Sequence, residues 1–179
     1  EVVGDEPARI TALLTRTFAG PDVVLSCGAI GATPDDHTRQ CAGAALGVPL
    51  ELHPEGRTLV EARIRESAGP DADLRAPENL QRLKLAEFPA GAQLIPNPYN
   101  RIPGFTVAQH HFVPGFPVMA WPMIAWVLDT LYADRFHREP RLERALLVFE
   151  QAEAALTPLM ETLEARHPGV RSARPGFYL

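Results

Sequence analysis

Two cysteines in 179 residues, Cys27 and Cys41, are too few for a disulfide framework. No apolar stretch is long enough to span a bilayer, and no signal-peptide pattern opens the chain. Basic residues never run five in a row, and 17 Lys and Arg face 22 Asp and Glu for a net charge of −5. These absences argue against secretion, membrane insertion and nucleic-acid binding, and the chain reads as soluble and cytoplasmic. An initiator Met is also lacking. Val2-Val3 resembles the close of a strand and Phe177-Tyr178-Leu179 the beginning of one, so further sheet elements are expected beyond both ends.

What is present is organised around Val23 to Thr38. The run Val23-Val24-Leu25 between Pro21 and Gly28 reads as a strand buried on both faces. Thr33 reads as a helix N-cap, Pro34 as the first helical residue and Asp36 as the return partner of a capping box. Strand, glycine loop and helix N-terminus in succession place backbone N–H groups at a strand's carboxyl end, where α/β proteins hold phosphates. Cys27 sits at the strand end, where its position admits a nucleophile, although a small buried thiol is the plainer account.

Before this stretch, Gly4-Asp5-Glu6-Pro7 starts a helix carrying Ile10, Leu13, Leu14 and Phe18, with Asp5 at the strand-to-helix handover. After it, the Ala-rich segment from Asp35 to Leu46 is a compact helix ended by Gly47 and Pro49. A helical region follows His53-Pro54-Glu55, with Leu59, Val60 and Ile64 on one face, and Glu78 to Glu87 is helical again. From Pro89 to Phe105 short apolar pieces divided by Pro and Gly indicate extended strands. Phe105-Thr106-Val107 and His111-Phe112-Val113 form the arms of a hairpin, on which His110 and His111 point to opposite faces and cannot chelate one ion together. Val113-Pro114-Gly115-Phe116-Pro117 is a second strand-to-turn signature, and the helix Val118 to Leu131 follows it. Met119, Trp121, Met123 and Trp126 on that helix read as packing against the sheet more readily than as a ligand-facing surface. Beyond Arg135 a helix with Leu156, Leu159, Met160 and Leu163 on one face ends near His167, and Ser172 to Leu179 reads as a strand.

Ser26-Cys27-Gly28-Ala29-Ile30-Gly31-Ala32-Thr33-Pro34-Asp35-Asp36-His37-Thr38 resembles the glycine-rich Asp-Asp-x-Thr signature of the molybdopterin-binding (MoCF) domain family, in its CinA-like (competence/damage-inducible protein A) branch. Val3-Gly4-Asp5, the run Gly91 to Pro98 with Pro103-Gly104-Phe105, and Pro114-Gly115-Phe116-Pro117 agree in the same order. The resemblance covers residues 1–135, and residues 136–179 resemble part of a small α+β appendage. It implies an α/β fold, a three-layer α/β/α sandwich with a mostly parallel mixed sheet and a pocket at the strands' carboxyl ends.

The same resemblance assigns Asp5 and Asp36 as catalytic and metal-holding carboxylates, with Mg²⁺ or a similar divalent cation. It places the ligand, molybdopterin or a nucleotide, on Ser26, Gly28, Gly31, Thr33, Asp35, Thr38, Pro114 and Gly115. The implied activity is hydrolysis of a nucleotide pyrophosphate of the ADP-ribose or FAD type. The alternatives are a non-catalytic molybdopterin- or nucleotide-binding module and molybdopterin adenylyltransferase-like activity. Related domains imply a homo-oligomer, a dimer or trimer. Ala29 and Ala32 depart from the family's Gly and Pro, and Val118-Met119 stands where a Glu is expected. A methyl at Ala29 narrows the approach of a phosphate to the backbone.

Overall fold

The computed structural model describes residues 1–136, 148–149 and 152–170. The chain divides into two units, Glu1–Arg138 and Glu139–Leu179. In the second unit the described residues form helix α6 (Glu153–Arg166), closed at His167. The strand expected over 172–179 lies outside the described residues.

The first unit runs α1 (Pro7–Phe18), β1 (Val24–Cys27), α2 (Thr38–Leu46), β2 (Leu50–Leu52), α3 (Pro54–Ala68), α4 (Pro77–Leu83), β3 (Glu87–Pro89), β4 (Gln93–Ile95), β5 (Gly104–Val107), β6 (His110–Val113) and α5 (Pro117–Leu131). Single 3-10 turns occupy Lys84–Ala86 and Ala133–Arg135. Helices α1, α3, α4 and α5 each begin on a proline. At that position the missing N–H is no loss and the fixed φ already suits a helix.

The expected mostly parallel sheet is not what forms. Four strands lie in the order β1-β6-β5-β4, and only β1 and β6 are parallel. Pairs β5–β6 and β4–β5 are antiparallel, as is the separate ribbon β2–β3. Connection length is the reason. Parallel neighbours need a crossover of about a dozen residues or more. Only Ala108 and Gln109 separate β5 from β6, and only residues 96–103 separate β4 from β5, so both pairs must turn back. The result is an α/β fold with a mixed, mostly antiparallel sheet.

Alternation along β6 divides the core. Phe112 joins Ile10 and Leu14 of α1, Cys41 and Ala42 of α2, and Phe88 and Phe105. Val113 faces the other way and packs with Ile95 and with Ala120, Met123 and Val127 of α5. Phe105 and Phe112 stack with ring centroids 4.4 Å apart, and both are fully buried. A third cluster, Val60, Ile64 and Ala86, seats α3.

β1 departs from expectation. It is an edge strand of alternating half-buried and exposed residues, with Leu25 40% exposed, not a strand buried on both faces. On α5, Met123 is core while Trp121 is 73% exposed, so the helix's large apolar residues divide between the sheet and the surface.

Candidate functional site

β1 and β6 run parallel, so Cys27-Gly28 and Val113-Pro114 end at the same edge of the sheet. The Gly28 N–H donates to the Val113 carbonyl at 2.9 Å, which extends the pairing one step past the strand. Here the chain turns with φ +108° at Gly28 and +51° at Ala29. Gly28 and Gly115 meet directly: a Cβ on Gly115 would lie 3.4 Å from the Gly28 Cα. The glycine loop and the turn that opens α5 are therefore brought together.

The helix after the loop begins later than its capping signature suggests. α2 starts at Thr38, and residues 33–36 form a free-standing turn in which the Asp36 N–H donates to the Thr33 carbonyl at 3.0 Å. Asp36 does reach back as a capping-box acid would: its Oδ2 accepts the Thr33 N–H at 2.9 Å and also the Thr33 hydroxyl. Gly31 lies against this carboxylate, and a Cβ there would overlap it. Gly31, Thr33 and Asp36 thus form one unit. Asp35 is exposed.

The carbonyls of the loop are almost all taken. The Thr38 hydroxyl donates to the Gly28 carbonyl at 3.4 Å and the Thr38 N–H to that of Ala29 at 3.1 Å. The Arg39 guanidinium donates to Gly31, and Gln81 Nε2 of α4 to Ala32 at 2.7 Å. Among the described residues no protein acceptor pairs with the N–H groups of Ala29, Ile30, Gly31 or Ala32. A trans peptide points its C=O and N–H in opposite directions, and no cis bond occurs among the described residues. Anchoring the carbonyls of Gly28, Ala29 and Gly31 in the protein accordingly turns the amides of Ala29, Ile30 and Ala32 away from it. Such a loop offers donors and few acceptors, the chemistry of an anion-binding nest.

The other expected residues are placed less tightly. Ser26 is half-buried in β1, and Pro114 and Gly115 border the loop. Asp5 stands in the exposed turn ahead of α1, and among the described residues no hydrogen bond or ion pair joins it to Asp36. No group of three or more His, Cys, Asp or Glu among the described residues is arranged to hold a metal ion. Cys27 is surface-accessible, and desolvation pushes its thiol up, opposite to the shift that activates a nucleophile.

One residue absent from the sequence reading stands out. Arg39 is 2% exposed, beneath the loop, with its guanidinium on the carbonyls of Gly31, Lys84 and Glu87. A basic residue in the first turn opposes the helix dipole. That misfit was the available signal for a tertiary partner.

Two clefts lie elsewhere. One of about 290 Å³ is bordered by Gln93, Thr106, His111 and Tyr132, and one of about 390 Å³ by His53, Glu55, Leu59, Pro96, Pro103 and Trp126. No residue of the loop lines either.

Residues 1–133 match the probable molybdopterin binding domain family, and the chain belongs to that family. Within it the sequence is CinA-like. It is 35% identical over 178 residues to a CinA-like protein of Anaeromyxobacter sp. (strain Fw109-5), covering 95% of this chain and 41% of that protein. It is 39% identical over 103 residues to a CinA-like protein of Gloeobacter violaceus, covering 58% of this chain and 22% of the relative. The chain therefore spans about two fifths of the Anaeromyxobacter relative's length, 41%. The crystal structure of the protein CinA with unknown function from Thermoplasma acidophilum shares the fold. Its TM-score is 0.57 at 23% identity, over 69% of this chain and 70% of that one. No described helix is long and apolar enough to cross a membrane.

Proposed function

We propose that the first unit is a binding module for the phosphate portion of a small phosphorylated ligand, a pterin phosphate or a nucleotide, seated on the loop from Gly28 to Thr33. The observation that carries this reading is the loop's bonding pattern: the carbonyls of Gly28, Ala29, Gly31 and Ala32 are bonded within the protein, and among the described residues the amides of Ala29, Ile30, Gly31 and Ala32 have no protein partner. Unpaired backbone donors at a strand's carboxyl end favour phosphate oxygens over neutral or cationic groups. Membership of a probable molybdopterin binding family supports the same ligand class. Thr33, Asp35 and Thr38 shape the seat, and Pro114-Gly115 forms the wall beside it.

Hydrolysis of a nucleotide pyrophosphate is the weaker reading. It needs a divalent cation shared by Asp5 and Asp36; one Asp36 oxygen is committed to Thr33, and Asp5 lies in the exposed turn before α1.

The test is calorimetric titration with inorganic pyrophosphate, ADP-ribose, FAD and ATP, with and without Mg²⁺. Binding is expected in the wild type and a loss of at least about tenfold in Gly31→Val, whose side chain displaces Asp36 and distorts the turn. Binding that is absent from the wild type, or unchanged in Gly31→Val, overturns the seat. Mg²⁺-dependent release of product, abolished in Asp36→Ala, would favour the hydrolytic reading instead.

A further inference from the structure

Burying a guanidinium without a carboxylate in direct contact is costly, and the cost is met only when its donors are closely matched. Arg39 is such a group. One terminal nitrogen donates to the Gly31 carbonyl, and the other donates to Lys84 and, at 3.4 Å, to Glu87. Its Nε is buried with no partner. Desolvation lowers its pKa, and the charges of Glu87 and then Asp36 oppose that shift, so both acids lie within its electrostatic reach. Arginine stays protonated even so.

The three acceptors explain what this arrangement does. Lys84 opens the 3-10 turn that leads into β3 and Glu87 is the first residue of β3, while Gly31 lies at the middle of the glycine loop. The planar fork of Arg39 thus ties the loop to a segment more than 40 residues away in sequence, with separations of 45 and 48. Gln81 makes a parallel tie from α4 to Ala32. Of the two, only Arg39 is buried and charged.

We propose that Arg39 is the positioning residue of the seat: by drawing the Gly31 carbonyl inward it holds the loop in its donor-presenting form and sets a buried positive charge behind it. The proposal rests on the phosphate-seat reading for its functional meaning, but the bracing itself can be observed without a ligand. Geometry and charge separate through two variants. Arg39→Lys keeps a cation but cannot span three carbonyls with a planar fork, and Arg39→Met removes both.

The experiment uses the full chain, with ¹⁵N relaxation of the amides of Ile30, Gly31 and Ala32 and calorimetric titration with inorganic pyrophosphate. Wild-type loop amides should show order parameters near the rigid value of about 0.85, falling below about 0.6 in both variants. Pyrophosphate affinity should fall at least about tenfold in Arg39→Lys and further in Arg39→Met, at temperatures where thermal unfolding shows each protein intact. A residue that merely supports the fold would lower Tm and leave the loop's order and affinity untouched in the folded protein. Should Arg39→Met fail to fold, Arg39→Lys alone decides. Wild-type loop order and affinity in Arg39→Lys overturn the proposal. If the wild type binds no pyrophosphate while its loop still loosens in Arg39→Lys, the brace stands and the phosphate reading falls.

Discussion

The two ends of β6 treat polar groups in opposite ways. At its carboxyl end, beside Gly28 and Gly115, the amides of residues 29–32 have no protein partner among the described residues. At its amino end, the buried polar side chains are matched almost completely. The Thr106 hydroxyl lies 3.1 Å from the His110 carbonyl, to which it donates, and 2.8 Å from His111 Nδ1. The other ring nitrogen, Nε2, pairs with the Tyr132 hydroxyl at 2.8 Å, so both nitrogens of His111 have partners. On the opposite face, Thr17 donates to the Leu14 carbonyl and accepts from His110 Nε2 at 2.9 Å, leaving only His110 Nδ1 without a partner. Phe18 stacks on that imidazole with centroids 3.9 Å apart. Buried polar groups that find partners serve the fold, whereas surface donors left without them are available to a ligand.

The largest way to sharpen this contrast is Phe112→Ala, in the middle of β6. Losing the stacked, fully buried ring should cost about 3–5 kcal/mol in urea unfolding, with ligand binding lost only as the protein unfolds. A cost below about 1 kcal/mol would mean that the strand is not the shared support of both ends.

The paired end should also answer to pH. Desolvation, and for His110 the neighbouring His111, lowers both histidines below their ordinary value. Their contribution to stability is then full above the unfolded pKa of about 6.5 and is lost as pH falls toward the folded values. The urea midpoint should drop between about pH 7 and 5, and drop less in His111→Gln. A flat midpoint over that range would remove the distinction drawn for this end.

The smallest effect belongs to the loop. Asp36→Ala removes two hydrogen bonds to Thr33 in an exposed turn and should lower stability by about 1 kcal/mol or less. A loss comparable to that of Phe112→Ala would make the loop part of the core and dissolve the comparison.

Much of the scaffold was legible in advance because its signals are local. The hairpin at residues 104–113, the helix over Pro7–Phe18, the proline start of α3 and the body of α5 follow from short-range turn chemistry and side-chain periodicity. The capping signature at Thr33 and Asp36 reads as the start of a helix with Pro34 as its first residue; the bond from the Thr33 amide to Asp36 forms, but the helix begins later. Asp36 is satisfied within residues 33–36, and α2 begins only where the Thr38 amide meets the Ala29 carbonyl. β2 and β3 escaped notice because three-residue strands carry almost no periodic signal.

By itself the sequence determined the glycine turn, the acid that folds back on Thr33, the divided faces of β6 and the family, all of which depend on residues near one another in the chain. Tertiary structure alone decided the mostly antiparallel sheet and the brace from Arg39 to Gly31, Lys84 and Glu87. Strand neighbours and buried acceptors are chosen by packing across long sequence separations, and no local pattern encodes which distant carbonyl a guanidinium will meet.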